Sequence, residues 1–241
     1  MIRAGMVGLG WWGKRLLEAA GPAGEHIRFV HAVSPRPDLR RDVAEAHGLR
    51  LSPTIAAMLR DPAVEAVVLA TPHSMHADQI VEVAASGKPI LCEKPFTLKR
   101  ADAVRAARAC EQAGVLLALG HNRRFLPALT ELKRLIADGA LGRLLHVEGH
   151  ISNQNSSGNF AAWRHDGEES PAGGLTGKPV ERRSLPEVDT LRLELQAFAD
   201  AVEGRAPYPI PYDQMIDTVA AFEAITRSVA AGGRTTEVEG R

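Results

Sequence analysis

From residue 2 to about residue 120, short apolar runs alternate with stretches whose apolar positions recur every three or four residues. The runs predict strands at Ile2–Gly8, Ile27–Ser34, Val64–Thr71, Pro89–Cys92 and Val115–Leu119. Their apolar residues are consecutive rather than alternating, the pattern of strands covered on both faces. The intervening stretches read as helices with start and stop signals. "DLRRDVAEAHG" ends at Gly48, and "SPTIAAMLRD" offers Ser52 as N-cap with Pro53 in the first helical position. "SMHADQIVEVAASG" ends at Gly87, and "TLKRADAVRAARACEQAG" runs from a Thr97 cap to Gly114. Alternating strands and helices predict an α/β fold with a doubly wound parallel sheet.

After Gly120 the pattern changes. "LPALTELKRLIADG" is helical, and "RLLHVEGHISN" alternates like a strand with one wet face. From Gln154 to Asp189 periodicity is weak and Gly, Pro and Ser are frequent, a long connection for a compact domain. Helices at Thr190–Glu203 and Tyr212–Ala231 then close the chain. The expected organisation is a nucleotide-binding domain over 1–120 and a shortened α+β domain over 121–241. One strand and a short tail are too little for a stable sheet, so the second domain is covered by helices, paired with another subunit in a homo-oligomer, or poorly ordered.

Composition narrows the partners. Lys plus Arg and Asp plus Glu are both 29 in 241 residues, which gives no net field to favour nucleic acid or an anionic membrane. Cys92 and Cys110 form neither a disulfide framework nor a metal-site spacing. The N-terminus has no leader pattern and no apolar run nears the ~20 residues of a membrane span, so a cytoplasmic location is expected.

The candidate chemistry begins at "GMVGLGWWG", which sets Gly8, Gly10 and Gly13 as G-x-G-x-x-G between a strand and a helix. Such glycines allow a tight turn, let backbone amides approach a pyrophosphate, and bring the helix against its strand. Trp11 and Trp12 either wall the cofactor or pack the helix. The second strand ends without the acid that reads a ribose diol. Ser34 and Arg36 follow instead, with Arg40 and Arg41, which suits a 2′-phosphate and leans the cofactor from NAD towards NADP. The same arginines also suit a merely solvated helix. After Val64–Thr71, Thr71 and Pro72 line the crevice, while His73 and His76 either reach it or cap and pack the next helix. "PILCEKPFTL" puts Lys94 at a strand's carboxyl end, where an ammonium can hold a substrate hydroxyl and take part in proton transfer.

Together these residues resemble the Gfo/Idh/MocA family, named for glucose–fructose oxidoreductase and inositol dehydrogenase. The markers are "GLGWWG", "TPHSMH", "GKPILCEKPFTL", "HNRRF" at His121–Phe125, "WRHDGEESPAGG" at Trp163–Gly174 and "LRLELQAFADAVEG" at Leu191–Gly204. The resemblance implies a Rossmann domain, then a domain with an open antiparallel sheet, and hydride transfer between NAD(P) and a hydroxyl of a sugar, cyclitol or related polyol. It makes Lys94 the catalytic-site lysine, counts Glu93 and Lys94 with the cofactor contacts, and sets Lys94, Asn122 and Arg123 towards the substrate. Trp163 and Arg164 match a segment that reaches back towards the dinucleotide.

The chain departs from the pattern after Gly177. The family continues with a helix carrying G-x-H-x-x-D, whose histidine is the usual acid/base. Here Lys178, Pro179 and Val180 follow, and all nine histidines stand at or before His165. The expectation is an internal deletion, with His165 or His121 as a replacement for the histidine. The alternatives are a catalytically disabled dinucleotide-binding protein, or a Rossmann domain that serves only as a scaffold.

Overall fold

The structure, a computed structural model, describes residues 1–21, 25–146 and 183–240. Its six strands are β1 Ile2–Val7, β2 Ile27–Val33, β3 Arg50–Ser52, β4 Ala66–Leu69, β5 Ile90–Glu93 and β6 Leu117–Gly120. They form one sheet in the order β3-β2-β1-β4-β5-β6, with every pairing parallel. The order reverses between β1 and β4, and ligands of such sheets bind at that reversal, beyond the carboxyl ends of the strands. This is the doubly wound Rossmann arrangement that the apolar runs predict.

Five strands match expected runs, and β3 was not foreseen. It is only three residues long, and Arg50 on it is exposed, so it lacks the apolar run that marks its neighbours. Ser52 therefore belongs to a strand and caps nothing. The cap of α3 (Ile55–Leu59) is Thr54, whose hydroxyl accepts from the Ala57 amide at 3.2 Å. Thr97 is likewise not the cap of α5 (Arg100–Ala113). Its hydroxyl donates to the Lys99 carbonyl at 2.9 Å and shapes the preceding loop. Gly114 ends α5 in the left-handed conformation, as expected for a glycine stop.

Two apolar layers sandwich the sheet. On one face Ala4, Met6, Phe29, Val68, Leu91 and Ala118 pack with Leu16 and Leu17 of α1 (Trp11–Ala20) and Val43 of α2 (Arg41–Ala46). The same layer holds Leu195 and Phe198 of α7 (Thr190–Val202). On the other face Val67, Leu69, Ile90, Cys92, Leu117 and Leu119 pack with Met58 of α3, Ile80 of α4 (His76–Ala84), Cys110 of α5 and Val219 of α8 (Tyr212–Ala230). Apolar burial at roughly 25 cal/mol per Å² makes these layers the main source of stability.

The two closing helices therefore differ from their expected grouping with the second domain. Residues Met1–Phe125 and Asp189–Arg241 form one compact unit, and Leu126–Val188 a second. The reason is coverage: α7 lies over Leu91 and Ala118, and α8 completes the opposite layer. Between them the proline-rich segment "APYPIPY" closes the sheet edge. The Tyr208 hydroxyl donates to the Leu119 carbonyl at 2.8 Å, and the Tyr212 hydroxyl accepts from the Leu117 amide at 3.0 Å. Both serve backbone groups on the outer side of edge strand β6, which would otherwise offer a template for another strand.

In the second unit α6 (Pro127–Ala137) starts on Pro127, and none of its residues is buried. The strand expected from "RLLHVEGHISN" falls largely outside the described residues, as do Trp163, Arg164, His165 and Gly177. No described helix is long and apolar enough to cross a membrane.

Candidate functional site

The carboxyl edge of the sheet gathers the residues that the sequence singled out. Gly8 follows β1 with φ +100°, and a Cβ there would stand 2.5 Å from the Ala70 carbonyl oxygen. A Cβ on Gly13 would stand 2.1 Å from the Gly8 carbonyl oxygen, so that glycine lets α1 sit tightly on the turn. Gly10 differs from both. Its backbone is extended and a Cβ would meet nothing within 4 Å, so no protein neighbour requires glycine there. The free space lies at the N-terminus of α1, which has no side-chain cap and no acid in its first turn. Uncapped amides and the positive end of the helix dipole suit an anion, and these features fit a dinucleotide's pyrophosphate against the turn.

At the end of β2, Ser34 is buried and its hydroxyl bonds the Arg36 backbone, donating to the carbonyl at 3.2 Å and accepting from the amide at 3.3 Å. The hydroxyl is thus committed to the turn, while the Arg36 side chain is exposed. Arg41 pairs with Asp38 at 2.6 Å and belongs to the helix surface.

After β4, Thr71 is half-buried and Pro72 and His73 are exposed at the rim. His76 is placed otherwise: its side chain does not face the crevice. It is 0% exposed, with Nδ1 3.0 Å from the Pro95 carbonyl oxygen and Nε2 3.0 Å from that of Thr71. It ties the loop after β4 to the loop after β5, the packing reading, and is a positioning group for both loops.

Lys94 follows β5, its peptide to Pro95 is cis, and its side chain is exposed. The ammonium stands 5.6 Å from the centre of the Trp12 ring, within range of a cation–π contact. The two tryptophans thus separate in role: Trp12 is half-buried beneath Lys94, while Trp11 is 69% exposed with Arg15 over its ring. The half-buried His121 has a pKa lowered chiefly by burial, and the exposed His73 is lowered by the partial loss of hydration at the rim and then by His76, with the positive charge of Lys94 adding to both shifts. Asn122 and Arg123 stand in the turn after β6. The Asn122 amide donates to the Thr190 hydroxyl at 2.9 Å and so fastens this turn to α7, while Arg123 is exposed.

Beneath Lys94 lies a feature that sequence reasoning missed. Glu93 is buried, and burial pushes its carboxyl up to about 7, against the Trp12 indole and Lys94. Gly120 makes room for it, since a Cβ there would lie 2.9 Å from the carboxyl. Glu194 of α7 is 0% exposed, and burial followed by the charge of Glu93 pushes it to about 9. Burial raises both carboxyls, and because their charges repel each other the two titrate as a coupled pair, Glu93 first. The signal was present in "LRLELQAF": Glu194 shares the helical face of Leu191, Leu195 and Phe198, an acid on an apolar stripe.

Two other groupings stand apart. His31 bonds Asp61 at 2.8 Å and Ser52 at 3.1 Å, a serine–histidine–aspartate chain. All three residues are buried and the serine hydroxyl donates to the Thr54 carbonyl at 3.3 Å, so it ties β2, β3 and α3 rather than meeting substrate. A hollow of about 360 Å³ lies on the α8 side, lined by His121, Arg124, Ile210 and Gln214 among others. It shares only His121 with the groups around Lys94.

Comparison with known proteins agrees with this geometry. Residues 2–121 match the oxidoreductase family with an NAD-binding Rossmann fold. The scyllo-inositol 2-dehydrogenase (NAD(+)) of Bacillus subtilis is 36% identical over 99 residues, 41% of this chain and 29% of that protein. The WlbA dehydrogenase of Bordetella pertussis, solved with NADH and UDP-GlcNAcA, is 32% identical with a TM-score of 0.56, over 59% of this chain and 41% of that one. A Desulfitobacterium hafniense protein, named for NADPH-dependent oxidoreduction, has a TM-score of 0.77 and covers 96% of both chains. Its 20% identity shows the fold alone, over nearly the full extent of this chain. Against the first curated relatives the chain spans less than half their length. Through its Rossmann domain, the chain belongs to the Gfo/Idh/MocA family of oxidoreductases.

Proposed function

We propose that the chain binds NAD(P) across the turn at Gly8, Gly10 and Gly13, and transfers hydride between it and a hydroxyl of a sugar, cyclitol or related polyol. The observation that carries this reading is the meeting, at one sheet edge, of an open helix N-terminus beside Gly10 with the ammonium of Lys94. The cofactor when bound supplies the hydride acceptor or donor. The chain's residues then have separate tasks. The α1 amides hold the pyrophosphate, Thr71 and Pro72 flank the crevice, Trp12 supports Lys94 from below, and Lys94 holds the substrate hydroxyl. Arg36, beside an acid-free strand end, favours NADP over NAD by offering its guanidinium to a 2′-phosphate. The inositol dehydrogenase likeness and the sugar nucleotide bound to WlbA support a polyhydroxylated substrate. His73 and His121, whose environments disfavour the charged ring, stand near Lys94 as acid/base groups in place of the family histidine.

Fluorescence titration with NADPH and NADH, on wild type and Gly10→Ala, tests the site. Binding that weakens at least tenfold in the variant, about 1.4 kcal/mol, supports it. No binding of either nucleotide would sink the reading. A polyol panel follows, in which Lys94→Ala lowers turnover by ~10²–10⁴ and leaves cofactor affinity nearly unchanged. Binding with no turnover on any polyol would turn the reading into that of a disabled family member.

A further inference from the structure

The hollow of about 360 Å³ beside α8 falls at the lower end of small-ligand pockets, which run from about 300 to about 1,000 Å³. Leu119 and Ile210 contribute apolar wall to it, and Arg124, Gln214, Asp217 and Thr218 contribute polar groups. That mixture suits a sugar, whose ring has apolar C–H faces and a rim of hydroxyls. Arg124 stands in the turn Asn122–Phe125 after β6, and the turn is fastened twice. The Asn122 amide donates to Thr190 at the start of α7, and the Arg124 guanidinium donates to the Gln214 side-chain oxygen on α8. Gln214 is neutral. It orients the guanidinium and leaves the charge in place, where a glutamate would have cancelled it. Arg123 and Arg124 are both exposed, and neither forms an ion pair among the described residues. A guanidinium carries several N–H donors in a planar fork, so the Gln214 bond leaves others for a carboxylate or phosphate. Beyond burial, the charges that lower His121 are those of Arg124, Lys94 and Arg123, all positive. Charges are screened beyond about 10 Å in ordinary salt, so these cations serve one small region around His121. Asp217 adds an acid to the lining, and the three cations outnumber it.

Building on the oxidoreductase reading, we propose that this hollow is the subsite for the anionic end of an acidic sugar or polyol, where Arg124 holds a carboxylate or phosphate while a hydroxyl of the same molecule reaches Lys94 past His121. The substrate class narrows thereby from polyols in general to those that carry a negative charge. Arg124 determines specificity in this arrangement. It touches the substrate at the end remote from the reacting carbon, and its charge selects an anion over a neutral sugar of the same shape. Gln214, Asp217 and Thr218 offer oxygen acceptors to the sugar hydroxyls, and Leu119 and Ile210 offer a surface to the ring. The clamp of the turn between α7 and α8 fixes the guanidinium before the ligand arrives, which lowers the ordering cost of binding.

Isothermal titration calorimetry of the full chain, with and without NADPH, tests the subsite. The probes are glucose, galactose and mannose, their uronates and their 6-phosphates, with acetate and inorganic phosphate as bare anions. The expected result is at least one charged sugar that binds about tenfold or more tighter than its neutral parent. Arg124→Gln removes that difference and leaves the neutral sugar's affinity and the melting temperature nearly as in wild type. A preference for uronates assigns a carboxylate to the subsite, and a preference for sugar phosphates assigns a phosphate. Histidine ring NMR gives a second readout, with the His121 signal identified by its loss in His121→Gln. Its titration midpoint rises when the charged sugar binds, because the anion offsets the cations that hold it down. Equal affinity or no binding across the panel, or a preference that survives Arg124→Gln, overturns the proposal and leaves cofactor binding untouched. Acetate or inorganic phosphate that binds as tightly as the charged sugar shows a site for any anion and also overturns it. Failure of NADPH and NADH to bind, with Arg124-dependent binding of a charged sugar intact, sinks the oxidoreductase reading while the subsite stands.

Discussion

Gly10 and Gly13 stand three residues apart in one motif and hold glycine for different physical reasons. A methyl on Gly13 would press on the Gly8 carbonyl, so Gly13→Ala is expected to cost roughly 1–3 kcal/mol of stability in urea unfolding. A methyl on Gly10 meets no protein atom, so Gly10→Ala keeps the wild-type unfolding midpoint and loses cofactor affinity. Equal loss of stability in both variants would refute this division. The buried acids act on stability as well. Glu93 titrates at about 7 and Glu194 at about 9, both above their ordinary 4.5. The folded chain therefore holds more protons than the unfolded chain once pH exceeds about 4.5. Their contribution is complete below that pH and is lost as pH rises through 7 and then 9, on the order of 3 kcal/mol for Glu93. Glu194→Gln should flatten the alkaline fall of the melting temperature, and an unchanged pH profile would count against the burial that causes it.

At the scale of elements, the closing helices carry testable weight. Phe198 of α7 is fully buried over the sheet, and Phe198→Ala should cost about 3–5 kcal/mol, measured by urea unfolding. A loss below 1 kcal/mol would mean that α7 is not part of the core. The serine–histidine–aspartate chain makes a parallel case. Asp61→Asn leaves the buried His31 with a poorer partner and should lose about 1–3 kcal/mol near neutral pH. The Asp61 carboxyl is held below its ordinary value, first by the His31 bond and then by the Ala63 amide. Its contribution is thus present above about pH 4 and is lost on acidification through the lower folded value. The difference between wild type and Asp61→Asn should shrink in acid.

The whole molecule folds its two chain ends into one unit, since the sheet of the first 125 residues and the last two helices share both apolar layers. Native-state hydrogen exchange should therefore give the slowest amides of α8 a protection close to that of β4 and β5. Much faster exchange in α8 would show that it opens separately from the sheet.

What the sequence determined by itself was local or periodic. Consecutive apolar residues marked five of six strands, glycine spacing marked the turn after β1, and the strand-end position of Lys94 marked the crevice. The exceptions follow from the same physics: β3 is too short and too polar to leave a run, Thr97 spends its hydroxyl on the carbonyl two residues on, and His76 spends its ring on a loop near in space and not in sequence. Tertiary structure alone decided that α7 and α8 cover the sheet, that Tyr208 and Tyr212 close its edge, and that Glu93 and Glu194 share one dry region. Those facts join residues about a hundred positions apart. Burial and charge coupling depend on distance through space, and a residue's position in the chain carries that distance only when the contact is local.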